Sequence, residues 1–283
     1  MRLPEVWNQS CSLVPDCRPR VGEGGRSGRN SAKVTRCLDW MRAVHRHFYL
    51  KNMTLEDLRD DEGVFSSIKT LREYDRLVRA GFVRASQIYA GQGILIPTLA
   101  DFRSAHTEIF AGVSAEAGRI RDEDCLVEIF GSVLEACDLE EEFQLLGKQL
   151  RQIVRKVKTV QDCVVIVAFT HGRIVAVQPA LMGNKRTAMC LSLAQIRYLF
   201  PIITTLNPFS INAYYEALAR TVEGRADQLN QIFGQIIGIP GPFSRAPFPA
   251  RRQRYAESKQ RFTDIGMERF SPYGNRLAVL IER

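Results

Sequence analysis

Residues 163–169, CVVIVAF, and residues 173–178, RIVAVQ, are two apolar, β-branched runs separated only by Thr170, His171 and Gly172. Local propensity alone makes them the arms of a β-hairpin. Continuous apolar runs are equally what a helix buried on all sides looks like, and periodicity does not separate the two. The architecture turns on which reading holds.

The surroundings are helical. Upstream, Thr98 follows Pro97 and stands three residues before Asp101, the pattern of a capping box. Behind it Phe102, His106, Ile109 and Phe110 fall on one helical face. Leu139, Phe143, Leu146, Leu150, Ile153 and Val157 keep a four-three rhythm, with an acidic first turn and a basic last turn that suit the helix dipole. Downstream, Met189, Leu193, Ile196 and Phe200 mark another helix. Tyr214, Ala217, Leu218 and Val222 mark a further one with Ser210 as its N-cap. Leu229, Ile232, Phe233 and Ile236 continue the pattern until IPGPF at 239–243 stops it.

Composition narrows the class. The chain has 283 residues, 45% hydrophobic and 25% charged, which excludes collagen-like, wholly disordered and disulfide-scaffold proteins. No window approaches eighteen uninterrupted apolar residues, so no membrane span is expected. The first residues show no apolar core of a signal peptide. The seven cysteines are widely spaced and form no C-x-x-C, which points to a reducing, cytoplasmic setting rather than a disulfide or zinc framework. His45 and His47 read as part of a solvated basic patch.

The net charge of +8 sits at the ends: residues 1–50 and residues 241–283 each hold nine Lys/Arg against four Asp/Glu, and the middle is slightly acidic. Residues 18–34 are rich in Gly, Arg and Ser and read as a flexible segment. The organisation expected is therefore a basic segment over 1–50, a helical domain over 51–240 and a basic extension over 241–283. The basic ends read first as solvated tails. Binding of nucleic acid or acidic lipid, or passage through an export route as an effector, are the alternatives.

Three segments, in order, resemble the Fic (fido, Fic/Doc) family. HTEIFAGVSAEAGRIR, residues 106–121, is similar to the family's His-x-x-Leu-Phe helix followed by Ala-Gly and an Arg; the matching positions are His106, Phe110, Ala117, Gly118 and Arg121. QPALMGNKRTA, residues 178–188, resembles the active-site loop H-P-F-x-[D/E]-G-N-G-R. Residues 211–233 resemble the Tyr-containing helix pair that follows the loop. The resemblance covers about residues 65–238. It implies a mainly α, Fic-like helical bundle in which 164–178 is the buried helix that delivers the loop. It also implies a short β-hairpin flap within 122–138, which docks a target protein by strand addition through Cys125, Leu126, Val127, Glu128 and Ile129. Without the resemblance, 122–138 reads equally well as a helix broken at Gly131.

The family transfers a nucleotide monophosphate, usually AMP, onto a protein hydroxyl. The resemblance implies that the loop His is the general base, the acidic residue holds Mg²⁺, and Gly, Asn and Arg cradle phosphates at a helix N-terminus. Here the base position is Gln178, whose amide has no useful basicity, and a general base is typically worth about 10²–10⁴ in rate. The aromatic position is Ala180. The acidic position is Met182, so no protein ligand to Mg²⁺ is expected. The second glycine is Lys185. Gly183, Asn184, Lys185 and Arg186 remain as a candidate phosphate site; the other reading of GNKR is a turn with a basic helix start. His171, seven residues before Gln178, stands roughly 10 Å away along a helix and is too far to replace the base. His106 reads as a core histidine with its ring nitrogens satisfied.

The function expected is a Fic-fold protein with a degenerate motif that binds a protein target, a phosphate-bearing nucleotide such as ATP, or both, with no cofactor required. Two alternatives stand beside it. One is an active Fic-like nucleotidyltransferase that modifies a Ser, Thr or Tyr hydroxyl with an atypical base. The other is an adaptor whose basic ends bind nucleic acid or membrane.

Overall fold

The computed structural model describes residues 55–121, 126–129, 132–134, 138–201, 206–207, 209–222, 227–243 and 277–278. Residues 1–54, which include the segment read as flexible, and all but the first three residues of the basic extension's run to 276 lie outside that description.

Eight helices follow in order among the described residues: α1 Leu55–Glu62, α2 Leu71–Gln92, α3 Leu99–Phe110, α4 Leu139–Val154, α5 Val160–Val177, α6 Asn184–Leu199, α7 Ile211–Val222 and α8 Asp227–Ile237. The ambiguous stretch is α5, one helix through both β-branched runs and the Thr-His-Gly between them. Two local features override β propensity there. Thr159 and Asp162 form a capping box: Thr159 Oγ1 accepts from the Asp162 N–H at 3.2 Å, and the Asp162 carboxylate accepts from the Thr159 N–H at 2.9 Å. Every residue from Cys163 to Val177 is buried, which explains the lack of a polar face.

That burial is supplied by neighbours on all sides. Helix α5 packs against α4, α6, α7 and α8, while α2 and α3 pack on each other and on α6. Gly172 permits close approach: a Cβ there would lie 2.6 Å from Thr221 Cγ2 of α7 and 3.1 Å from Leu229 Cδ2 of α8. By length and composition α5 could also cross a membrane, but 83% of that window is buried inside this bundle.

The remaining helices start as their sequences suggest. Thr98 and Asp101 form the expected capping box of α3. Asp138 Oδ1 caps α4 by accepting from the N–H groups of Glu140 and Glu141. Helix α4 ends at Val154, so Val157 packs on the core from outside the helix. Ser210 Oγ accepts from the Ala213 N–H at 3.4 Å at the start of α7.

Between α3 and α4 lies a hairpin, not a helix broken at Gly131. Leu126–Ile129 (β1) and Ser132–Leu134 (β2) pair antiparallel, with Val127 opposite Leu134 and Ile129 opposite Ser132. Leu277–Ala278 (β3) pairs antiparallel on the other edge of β1, Leu126 opposite Ala278. Cys125, expected at the start of the flap, lies outside the described residues.

Candidate functional site

The loop from Gln178 to Gly183 joins the C-terminus of α5 to the N-terminus of α6. Gln178 is the C-cap of α5 and adopts φ 49°, in the left-handed region. Among the described residues it is the one non-glycine with positive φ. Gly183 is the N-cap of α6 with φ 70° and no side-chain cap. A Cβ on Gly183 would meet the Phe110 ring at 2.3 Å, so the loop lies directly on α3. Both the conformation and the contact demand glycine.

The side chains of the loop are spent on one another. Asn184 Nδ2 donates to Gln178 Oε1 at 2.8 Å and to the Ala180 carbonyl at 2.6 Å, and its Oδ1 accepts from the Ala180 N–H at 2.9 Å. The Gln178 amide in turn donates to the Val175 carbonyl. Gln178 is 1% exposed and Asn184 3% exposed. These bonds cross-brace the loop, and they use both N–H groups of the Asn184 amide.

Met182 faces the hydrophobic core and is 3% exposed. Its thioether offers Mg²⁺ no hard oxygen, and the metal does not fit this position. Its carbonyl accepts from His106 Nε2 at 3.0 Å. The Gly118 N–H donates to His106 Nδ1 at 2.8 Å, which makes Nε2 the protonated nitrogen of a neutral ring. Burial, helped by the nearby Arg186 charge and opposed by the Met182 carbonyl, lowers the His106 pKa to about 4. The ring lies between Phe102, on which it is stacked, and Phe110, against which it is tilted by 42°. His106 is the core histidine expected, and it fastens α3 to the loop.

His171 is also fully engaged. Ser192 Oγ donates to the Ala188 carbonyl at 2.8 Å and lies 3.1 Å from His171 Nδ1, which therefore carries the proton. Nε2 is left to accept from the Tyr214 hydroxyl at 2.7 Å. Burial lowers this pKa to about 3, opposed in part by the Ala188 carbonyl. Neither histidine has a ring nitrogen left for abstracting a proton at the loop.

The two cations of the loop point to different surroundings. Arg186 is 8% exposed; its Nη1 donates to the Tyr74 hydroxyl at 3.2 Å, and the guanidinium stands over the Phe110 ring at 5.5 Å. Lys185 is half-buried, with Nζ 5.3 Å from the centre of the Tyr215 ring. The four residues of the candidate phosphate site are contiguous, with Arg186 set against Tyr74 and Phe110 and Lys185 against Tyr215. Two residues missed by sequence reasoning, Tyr74 and Tyr215, lie far away in the chain and carry no local signal of this role.

No family model and no curated protein matches this sequence. Among solved structures, a Fic family protein from Desulfovibrio desulfuricans is similar over 94% of this chain and 73% of its own, with 16% identity and a TM-score of 0.49. Fic-1 from C. elegans is similar in two forms. One covers 84% of this chain and 67% of its own, with 17% identity and a TM-score of 0.46. The other covers 90% and 69%, with 18% identity and a TM-score of 0.42.

Proposed function

We propose that this is a Fic-fold protein that acts by binding a protein target through its hairpin flap, and that it does not transfer AMP. The observation that carries the proposal is the pair of amides at the loop. Gln178 stands where a general base would be required and is hydrogen-bonded to Asn184, while both neighbouring histidines are neutral and engaged. A hydroxyl nucleophile would find no proton acceptor in the loop. The position that would hold a metal is a core methionine. The flap offers target recognition by main-chain pairing, and a strand added to the β1 edge takes the place of Leu277–Ala278.

Phosphate binding at Gly183, Asn184, Lys185 and Arg186 is a subsidiary part of this reading, and it is expected to be weak. A phosphate approaching the loop would meet Lys185 and the positive end of α6. Recruiting Asn184 would break bonds worth about 1 kcal/mol each. Calorimetric titration with ATP, with and without Mg²⁺, tests the assignment. Expected is a Kd of about 0.1 mM or weaker, insensitive to Mg²⁺ and further weakened in Lys185→Ala. Tight, Mg²⁺-dependent binding would favour an active transferase, and affinity unchanged in Lys185→Ala would remove the phosphate site.

A further inference from the structure

Helix α5 ends without a cation of its own. Its last turn contains no basic residue, and its C-cap is the strained Gln178. The last carbonyls of a helix have no intrahelical partner and carry the negative end of its dipole. At this buried end water cannot serve them, so another part of the chain must.

Arg121 does so from 57 residues away in sequence. Its Nε donates to the Gln178 carbonyl at 2.7 Å, and its Nη2 donates to the Val177 carbonyl at 3.2 Å. Its backbone N–H donates to the Pro179 carbonyl at 3.0 Å. Three consecutive carbonyls at the entrance to the loop are thus held by one residue, which is itself 4% exposed. The fork of a guanidinium suits this task, because a single planar group reaches two carbonyls at once. Arg121 also stands five positions before Leu126, where β1 of the flap begins.

We infer that Arg121 is a positioning residue that holds the Gln178–Gly183 loop in its shape and joins the root of the flap to that loop. Left-handed backbone at a non-glycine residue is strained and persists only where its surroundings over-determine it. The Arg121 fork supplies that constraint from one side, and Asn184 supplies it from the other. A target strand added to β1 in place of Leu277–Ala278 therefore binds from five positions beyond the residue that fixes the loop. This last point deepens the binding function proposed above, whereas the positioning role rests on the hydrogen bonds alone.

Amide hydrogen exchange on the full chain tests the inference without any ligand. The reporters are the N–H groups of Gln178, Ala180 and Thr187, which donate to Ile174 O, Asn184 Oδ1 and Gly183 O. In Arg121→Met, which keeps the apolar stem, exchange over residues 178–187 is expected to rise about tenfold or more. Exchange at Gly238 and Ile239, whose N–H groups donate to the Gly234 carbonyl and which adjoin Pro240 by the opposite end of α5, is expected to stay within about twofold of wild type. Arg121→Lys, with a point charge in place of the fork, is expected to give a smaller rise at the same residues. It also serves as the test should Arg121→Met not fold. Loop exchange unchanged in both variants, or raised uniformly over the chain, would overturn the positioning role. Because no nucleotide or target is present, that failure would leave the binding function untouched. Conversely, failure to find a target would leave the exchange result standing.

Discussion

Asn184→Ala removes the centre of the loop's hydrogen bonding. The substitution leaves Gln178 Oε1, the Ala180 carbonyl and the Ala180 N–H without this partner, and Gln178 and Ala180 are each 1% exposed. A buried group stripped of its partner costs about 1–3 kcal/mol. Three such groups set the scale, but they share one site and their costs are not additive. Alanine also has the better helix propensity in the first turn of α6, which returns about 0.6 kcal/mol. The net loss expected is about 3 kcal/mol. Asn184→Asp is expected to do no better: it keeps an acceptor for the Ala180 N–H but turns an oxygen against two others. Urea unfolding of the full chain, followed by helical circular dichroism, reads this as a lower midpoint with an unchanged slope. A loss below about 0.5 kcal/mol, the size of an ordinary surface substitution, would mean that the cross-brace contributes nothing and that Asn184 is free to serve a ligand.

Three further outcomes follow from the same geometry. His106 and His171 titrate at about 4 and about 3 in the folded chain against 6.5 unfolded, so the unfolded state binds more protons at acid pH. Their stabilisation is full above pH 6.5 and is lost as pH falls, by up to about 1.4 kcal/mol per unit for each ring; urea midpoints across pH 7 to 4.5 should fall accordingly, less so in His106→Gln. Gly183→Ala sets a Cβ at 2.3 Å from Phe110 on a backbone with φ 70°, and a loss of about 3 kcal/mol or more is expected in thermal melts. Met182→Asp, which would place a carboxylate where the Fic resemblance expects one, buries it in the apolar core and should cost about 3 kcal/mol or more by urea unfolding.

Much of the helical frame was legible in local pattern. The Thr98–Asp101 box, the four-three rhythm of α4 and the Ser210 cap all correspond to real helix features. The hairpin reading of 163–178 fails because a β-branched run says only that a segment is apolar on every side. The Thr159–Asp162 capping box is the local signal that favours one helix. At the loop, the residue types were legible and their partners were not. Nothing local says that Asn184 turns back to Gln178 and Ala180, or that Arg186 reaches the Tyr74 hydroxyl. Arg121 was visible as part of a motif, but its bonds to Val177 and Gln178 depend on packing between distant segments.

A loop with Gln178 where the Fic resemblance expects a base and Met182 where it expects a metal ligand is proposed not to transfer AMP. Incubation of the wild-type chain with labelled ATP, Mg²⁺ and a cell extract tests it most directly, with Gln178→Ala run in parallel. The expected result is that no protein is labelled above the level seen with Gln178→Ala. Robust labelling by the wild type that is abolished in Gln178→Ala would contradict it and make the loop an active variant.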